Sequence, residues 1–439
     1  MWQRLSASKK FACGSPNLSA PNEAAQDVEG AEVSQSFDRL WADLESIGRV
    51  PSGGYRRFAW TREDHTLREW FTGECAARSL DLTEDRVGNQ WAWWGGPDAA
   101  VADGRPGVAT GSHLDSVPDG GAYDGPLSVV SALAAIDALR SRGVVPQRPI
   151  GVVNFVDEEG ARFGVACGGS RVLTGAMTAD RALGLTDDEG LTMAQALTSA
   201  GREVTHFGAD PQALARIGTF IEVHVEQGRG LVDREVPVAI ASDIWPHGRW
   251  RIDLPGEANH AGSTRMPDRQ DAMISLAEVL LAARAQAVER GGVATIGKVS
   301  VQPNGLNAIA SHVTAWLDSR AANEEPVRAL VADLGEVVAS LGGQIREDSW
   351  TPSTPFDDML SARLRRVIGV ESSLSVPVLG SGAGHDAGIL ASAGIPTAML
   401  FVRNPTGVSH SPAEHAERAD CHAGVEALAA RLTDLVKSP

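Results

Sequence analysis

Only four cysteines occur in 439 residues, Cys13, Cys75, Cys167 and Cys421, far apart and with no CxxC pair. That scarcity excludes a disulfide framework and a cysteine-rich zinc site. It reads as free thiols in a reducing, cytoplasmic compartment. No uncharged apolar run reaches the roughly 18 residues of a membrane-spanning helix, so no membrane partner is expected. Basic side chains are in deficit: 39 Lys and Arg stand against 56 Asp and Glu, a net charge of −17. Phosphate backbones are bound by clustered cations, so nucleic acid is excluded as a partner. Residues 1–36 lack apolar periodicity, and the stretch after Lys9-Lys10 is too short and polar for a signal peptide. They are expected to form a disordered N-terminal extension.

What is present suits an ordinary globular protein, with 43% hydrophobic and 22% charged residues. Residues 126–142 predict a helix: Pro126 opens it, Val129, Val130, Leu133, Ile136 and Leu139 form its apolar stripe, and Gly143 stops it. A second helix is expected over 62–79. Short apolar runs at 108–110, 149–156, 220–225 and 395–402 read as strands covered on both faces, the signature of a mostly parallel sheet. The middle third differs. Trp250, Ile252 and Leu254 alternate with Arg249, Arg251 and Asp253, as in a half-wetted antiparallel strand. Helix, two strands, helix and strand follow. The predicted fold class is α/β: a mixed, mostly parallel sheet with helices on both faces, interrupted by an α+β domain. The expected divisions are 37–245 and 356–439 for the α/β lobe and 246–355 for the insertion.

Five polar clusters fall at predicted strand ends: Gly111-Ser112-His113-Leu114-Asp115, Tyr123-Asp124-Gly125, Asp157-Glu158-Glu159-Gly160, Glu222 to Gly228, and Val408-Ser409-His410-Ser411-Pro412. Ligands of open α/β sheets bind outside the carboxyl ends of strands, which offers these clusters a common meeting place. Together they supply His113, Asp124, Glu159, His224 and His410. Imidazole and carboxylate donors suit Zn, Mn, Co or Ni. Five are too many for one catalytic zinc but suit two divalent ions sharing a carboxylate. Asp115, two residues beyond His113, can orient that imidazole. Adjacent Glu158 and Glu159 point in different directions, so one can bind metal while its neighbour acts as general base. Singly, each piece is ordinary: a solvated histidine, a charged strand end, a turn. Cys167 has no assigned histidine partner and is set aside as a nucleophile.

The segments GSHLDSVPDGGAYDG, DEEGARF, HVEQG, NHAGST, GAGHDA and SHSPAE, in this order over residues 37–435, resemble the M20-type dinuclear metallohydrolases. The resemblance is to the ureido-amidohydrolase branch, which includes allantoate amidohydrolase and N-carbamoyl-L-amino acid hydrolase. It implies two metals, His113 and His224 holding one, Glu159 and His410 the other, with Asp124 between them. It implies Glu158 as the general base, Gln227 as a ligand of the ureido group and His260 as a catalytic donor to the oxyanion. Asn307 and Arg320 are implied to hold the substrate's polar groups and carboxylate, and Gly384 and His385 to form a further contact loop. For Arg320 the plain alternative is an ion pair with Asp318. The insertion is implied to be a lid that also forms a homodimer. The expected substrate is a small anionic ureide, with allantoate favoured by the tryptophan-rich segment 90–94 and N-carbamoyl-L-amino acids second. An M20-type aminoacylase or peptidase, or an inactive metal-binding relative, is a more distant reading.

Overall fold

The computed structural model describes residues 21–372 and 376–437. Its strands are, in chain order, β1 (Asp81–Glu84), β2 (Gln90–Trp94), β3 (Gly107–His113), β4 (Ile150–Phe155), β5 (Ile217–Val225), β6 (Val238–Ile244), β7 (His247–Pro255), β8 (Val293–Gln302), β9 (His312–Arg320), β10 (Gln344–Thr351), β11 (Thr354–Pro355), β12 (Val378–Ser381) and β13 (Thr397–Val402). Nine form one sheet in the order β1-β2-β4-β3-β5-β13-β6-β11, with β12 also beside β6. Its centre, β4-β3-β5-β13, is parallel, and the β1, β2 and β11 pairings at its margins are antiparallel. The α/β expectation holds in this form.

Successive residues of the central strands feed opposite cores. Val108, Ile221, Ala398 and Leu400 pack on one face, and Ala109, Phe220, Met399 and Phe401 on the other. The first face is covered by α1 (Pro21–Leu44), α2 (Arg62–Ala77), α3 (Pro126–Ser141) and the C-terminal helix Arg418–Val436. With both faces covered, these strands have no polar alternation, which is why they read as continuous apolar runs.

The expected extension over 1–36 is corrected in part. Pro21–Leu44 is helical, and residues 1–20 lie outside the described residues. Val33, Phe37, Leu40, Trp41 and Leu44 recur at helical spacing and are buried against α3 and the C-terminal helix. Most of that stripe falls after residue 36, so the stretch before it looked featureless.

The four-stranded antiparallel sheet, β10-β7-β9-β8, is drawn wholly from residues 247–351. Trp250, Ile252 and Leu254 pack on one side against α4 (Ala272–Arg290) and α5 (Glu324–Ser340) through Leu276, Val279, Leu330 and Leu334. The other side of β8 is largely exposed.

Candidate active site

The parallel centre sets the geometry. His113 ends β3, His224 is the last but one residue of neighbouring β5, and Asp157, Glu158 and Glu159 follow β4. All therefore gather at the carboxyl edge of adjoining strands, where the loop after β13 adds Ser409 and His410. Asp124 comes from the turn before α3. A Cβ on Gly125 would lie within 2.4 Å of the His113 ring, and its φ is +84°, so only glycine lets this turn close on the histidine.

The two oxygens of Asp124 face different partners. Oδ1 lies 3.6 Å from His113 Nε2 and 3.1 Å from His224 Nε2; Oδ2 lies 3.4 Å from His410 Nε2. Glu159 Oε2 is 3.6 Å from His410 Nε2. Two overlapping donor groups result, His113–Asp124–His224 and Asp124–Glu159–His410, the ligand atoms of each within 4.8 Å of one another. The Nδ1 atoms of His113 and His224 donate to the carbonyls of Asp115 (3.1 Å) and Val225 (2.8 Å), which turns both Nε2 lone pairs inward. A divalent ion in either group would meet imidazole nitrogen and carboxylate oxygen only, and the shared aspartate fits a pair.

Asp115 does more than face His113. Its two oxygens accept the backbone N–H groups of Glu158 (3.2 Å) and Glu159 (3.1 Å), and Oδ1 is 3.4 Å from His113 Nδ1. Glu158 is buried, with Oε2 at 3.7 Å from His113 Nε2 and Oε1 accepting the Cys167 thiol at 3.2 Å. Burial, and then the neighbouring carboxylates of Asp386, Glu159 and Asp115, push Glu158 well above the usual carboxylate range against the pull of His113. Glu159 is pushed up to about 7 by burial and Asp124. Burial opposes charge on His224, yet Asp124 and Glu222 carry it up to about 9. Cys167 is buried and its thiol is driven up by burial and by Glu158, which suits a hydrogen-bond donor and not a thiolate nucleophile.

The other expected residues are distributed unevenly. Gln227 reaches the centre, donating from Nε2 to Asp124 Oδ2 at 2.8 Å. Arg320 is held by Asp318 through Nε (2.8 Å) and Nη2 (3.1 Å), while Nη1 donates to Gly382 O at 2.7 Å. The ion pair with Asp318 is thus formed, and it leaves Arg320 against the loop of Gly384 and His385. Gly384 is exposed. His385 is buried, edge-on to the His224 ring at 4.4 Å and 3.0 Å from Ser381 Oγ, so it supports His224 from behind. His260 and Asn307 sit together, exposed, on adjoining loops of the smaller domain, joined by the His260–Ala308 bridge and the Ala261 N–H to Asn307 O bond of 2.9 Å. Among the described residues neither bonds to the His113–Asp124 group.

Sequence reasoning missed the supporting carboxylates. Glu222 accepts Ser112 Oγ (2.7 Å) and the Ala387 N–H (3.0 Å), and Asp386 accepts Ser170 Oγ at 2.5 Å. Glu414 accepts the N–H groups of Tyr123 and Asp124. Asp386 and Glu414 lie inside the GAGHDA and SHSPAE segments, and that position was the available signal.

Residues 109–434 match the model of peptidase family M20/M25/M40. The N-carbamoyl-L-amino acid amidohydrolase of Geobacillus stearothermophilus is 35% identical over 407 residues, 89% of this chain and 96% of that protein. The allantoate amidohydrolase of Escherichia coli K12 is 31% identical over 409 residues, covering 91% and 98%. A crystal structure of a hydantoinase/carbamoylase family amidase from Burkholderia vietnamiensis superposes with a TM-score of 0.81 at 29% identity, over 93% of this chain and 98% of that one.

Proposed function

From the premise that the chain belongs to peptidase family M20/M25/M40, and within it to the ureido-amidohydrolases, we propose that it hydrolyses the terminal ureido C–N bond of a small ureide carrying a carboxylate, releasing ammonia and carbon dioxide. The observation that carries this reading is Asp124, which turns one oxygen to His113 and His224 and the other to His410. In this reading His113 and His224 hold one divalent ion, Glu159 and His410 the second, and Asp124 both; Mn or Zn is the expected metal, with Co or Ni also accommodated. Such ions supply Lewis acidity to the ureido carbonyl and to the attacking water.

The chain's own groups do the rest. Glu158 takes the proton of the attacking water and returns it to the departing nitrogen. Asp115 keeps the Glu158-Glu159 backbone and the His113 ring in register. Gln227 offers its unpartnered Oε1 to the N–H donors of the ureido group. Arg320, bracketed by Asp318 and Gly382 O, and Asn307 receive the carboxylate and polar groups, while His260 donates to the oxyanion.

Trp91 and Trp93, which favoured allantoate on sequence, stack on each other in the core, so the segment carries no substrate information. Relatives named for N-carbamoyl-L-amino acids, at 35% identity, and for allantoate, at 31%, support both as the proposed substrates. The test is ammonia release by apo protein reconstituted with Mn or Zn and supplied with both substrate types. Hydrolysis of neither, by protein that has taken up two metal ions, would reject the reading. The smaller domain is further inferred to form a homodimer. Ile274, Leu281 and Val288 form an exposed stripe of period seven on α4, beside exposed Val293 and Val299 of β8.

A further inference from the structure

Glu414 is 5% exposed, and its carboxylate joins two stretches of chain 290 residues apart. Oε1 accepts the backbone N–H groups of Tyr123 at 2.8 Å and Asp124 at 3.0 Å, so it anchors the turn that presents Asp124. Oε2 accepts Ser409 Oγ at 2.8 Å, which anchors the loop that presents His410. Gly121 makes room for this: a Cβ there would lie 2.3 Å from Glu414 Oε1. The chain of bonds then continues. A hydroxyl that donates to Glu414 can still accept, and Ser409 Oγ lies 3.2 Å from Gln227 Nε2 as its donor. With Nε2 engaged by Ser409 and Asp124, Gln227 Oε1 is turned away, buried and without a partner among the described residues. An unpaired buried carbonyl is costly, so something must select this orientation of the amide and something must later use it.

We propose that Glu414 is a positioning residue that holds the Asp124 turn and the His410 loop in register and, through Ser409, aims the carbonyl of Gln227 at an N–H donor of the substrate. The part concerning Gln227 rests on the ureide reading above; the part concerning Asp124 and His410 needs only the metals. Loss of Glu414 frees the partly exposed His410 more than the buried His113 and His224, whose Nδ1 atoms keep their own carbonyl partners. The Glu159–His410 half is therefore the half that weakens.

The experiment titrates apo wild type, Glu414→Ala, Glu414→Gln and Ser409→Ala with Co(II) alone, followed by visible absorption. The loaded proteins are then assayed for KM and kcat on an N-carbamoyl amino acid. Wild type binds two equivalents. Glu414→Ala keeps one near wild-type affinity and weakens the other by about 10–100-fold, the usual cost of losing a group that orients a ligand. Glu414→Gln, whose one carbonyl oxygen can accept both N–H groups, recovers most of the second affinity. Ser409→Ala raises KM more than it lowers kcat. Should Glu414→Ala fail to fold, Gly121→Ala displaces the same carboxylate without removing it and weakens the same equivalent. Two equivalents bound with wild-type affinity by Glu414→Ala, a Gln variant as impaired as Ala, or a single equivalent in wild type overturns the proposal. Wild type that binds two cobalt ions and hydrolyses no ureide overturns the proposed function instead and leaves the metal result standing.

Discussion

In the proposed reaction Glu158 is the residue on which the chemistry turns, and its surroundings separate its two oxygens: Oε1 is taken by the Cys167 thiol and Oε2 faces His113. Replacement by glutamine keeps the shape and removes the proton carrier. Glu158→Gln is expected to lower kcat by about 100- to 10,000-fold, the range for a lost general base, with metal content unchanged. Unchanged turnover at full metal loading would reject the assignment. At this scale the proposed ligands were legible because His113, Asp124, Glu159, His224 and His410 are polar groups at the ends of apolar runs. Glu414 was not, because a buried carboxylate that accepts backbone N–H groups from a distant turn has no local pattern. Of the two readings of Arg320, the structure displays the Asp318 pair, and the carboxylate contact belongs to the proposal.

Elements were read best where burial dictates composition. The helix expected over 126–142 is Pro126–Ser141, and the strand expected over 149–156 is Ile150–Phe155. α1 was hidden because most of its described buried stripe, Val33 to Leu44, falls after residue 36. Phe37 in that stripe is fully buried, stacked on Trp41 at 5.5 Å and edge-on to His422 at 5.6 Å. Phe37→Ala is expected to cost about 3–5 kcal/mol in urea unfolding, as for a core aromatic. A loss near zero would mean that α1 is not part of the folded unit. Close to α1, Glu74 of α2 pairs with Arg39 at 2.7 Å and with Arg78 at 2.7 Å. Arg39 first, with Arg78 helping against burial, holds its carboxyl below the ordinary value of 4.5. A lowered carboxyl contributes stability above its unfolded pKa and loses it as pH falls through the folded one. Glu74→Gln should therefore be less stable than wild type by about 0.5–1 kcal/mol at pH 7. The gap should close in acid below the glutamate range; one that is constant with pH would exclude the ion pairs as its source.

For the whole molecule the decisive feature is the division between a closed sheet-and-helix lobe and a smaller domain with an open apolar stripe. Leu281 is 67% and Val288 76% exposed on α4, side by side on one helix face. Burial of that stripe against a second copy would explain why so much apolar surface survives. Leu281→Glu with Val288→Glu is expected to shift light scattering from dimer to monomer and to lower activity. A fully active monomeric wild type would remove the dimer from the account. The charge of −17 also belongs at this scale: the proposed anionic substrate would meet a repelling field, which the proposed local cations, Arg320 and the metals, would have to overcome.

The sequence by itself determined the α/β class, the inserted α+β unit and the residue types of the candidate metal centre, because binary patterning and polar strand ends are local consequences of burial. Only the tertiary structure decided that Asp124 divides its oxygens between two histidine groups, that His385 lies behind His224, and that Asp115 and Glu414 clamp the site from either side. Those relations join chain segments tens to hundreds of residues apart. Their partners are chosen by the order of strands in the sheet, which no local pattern encodes.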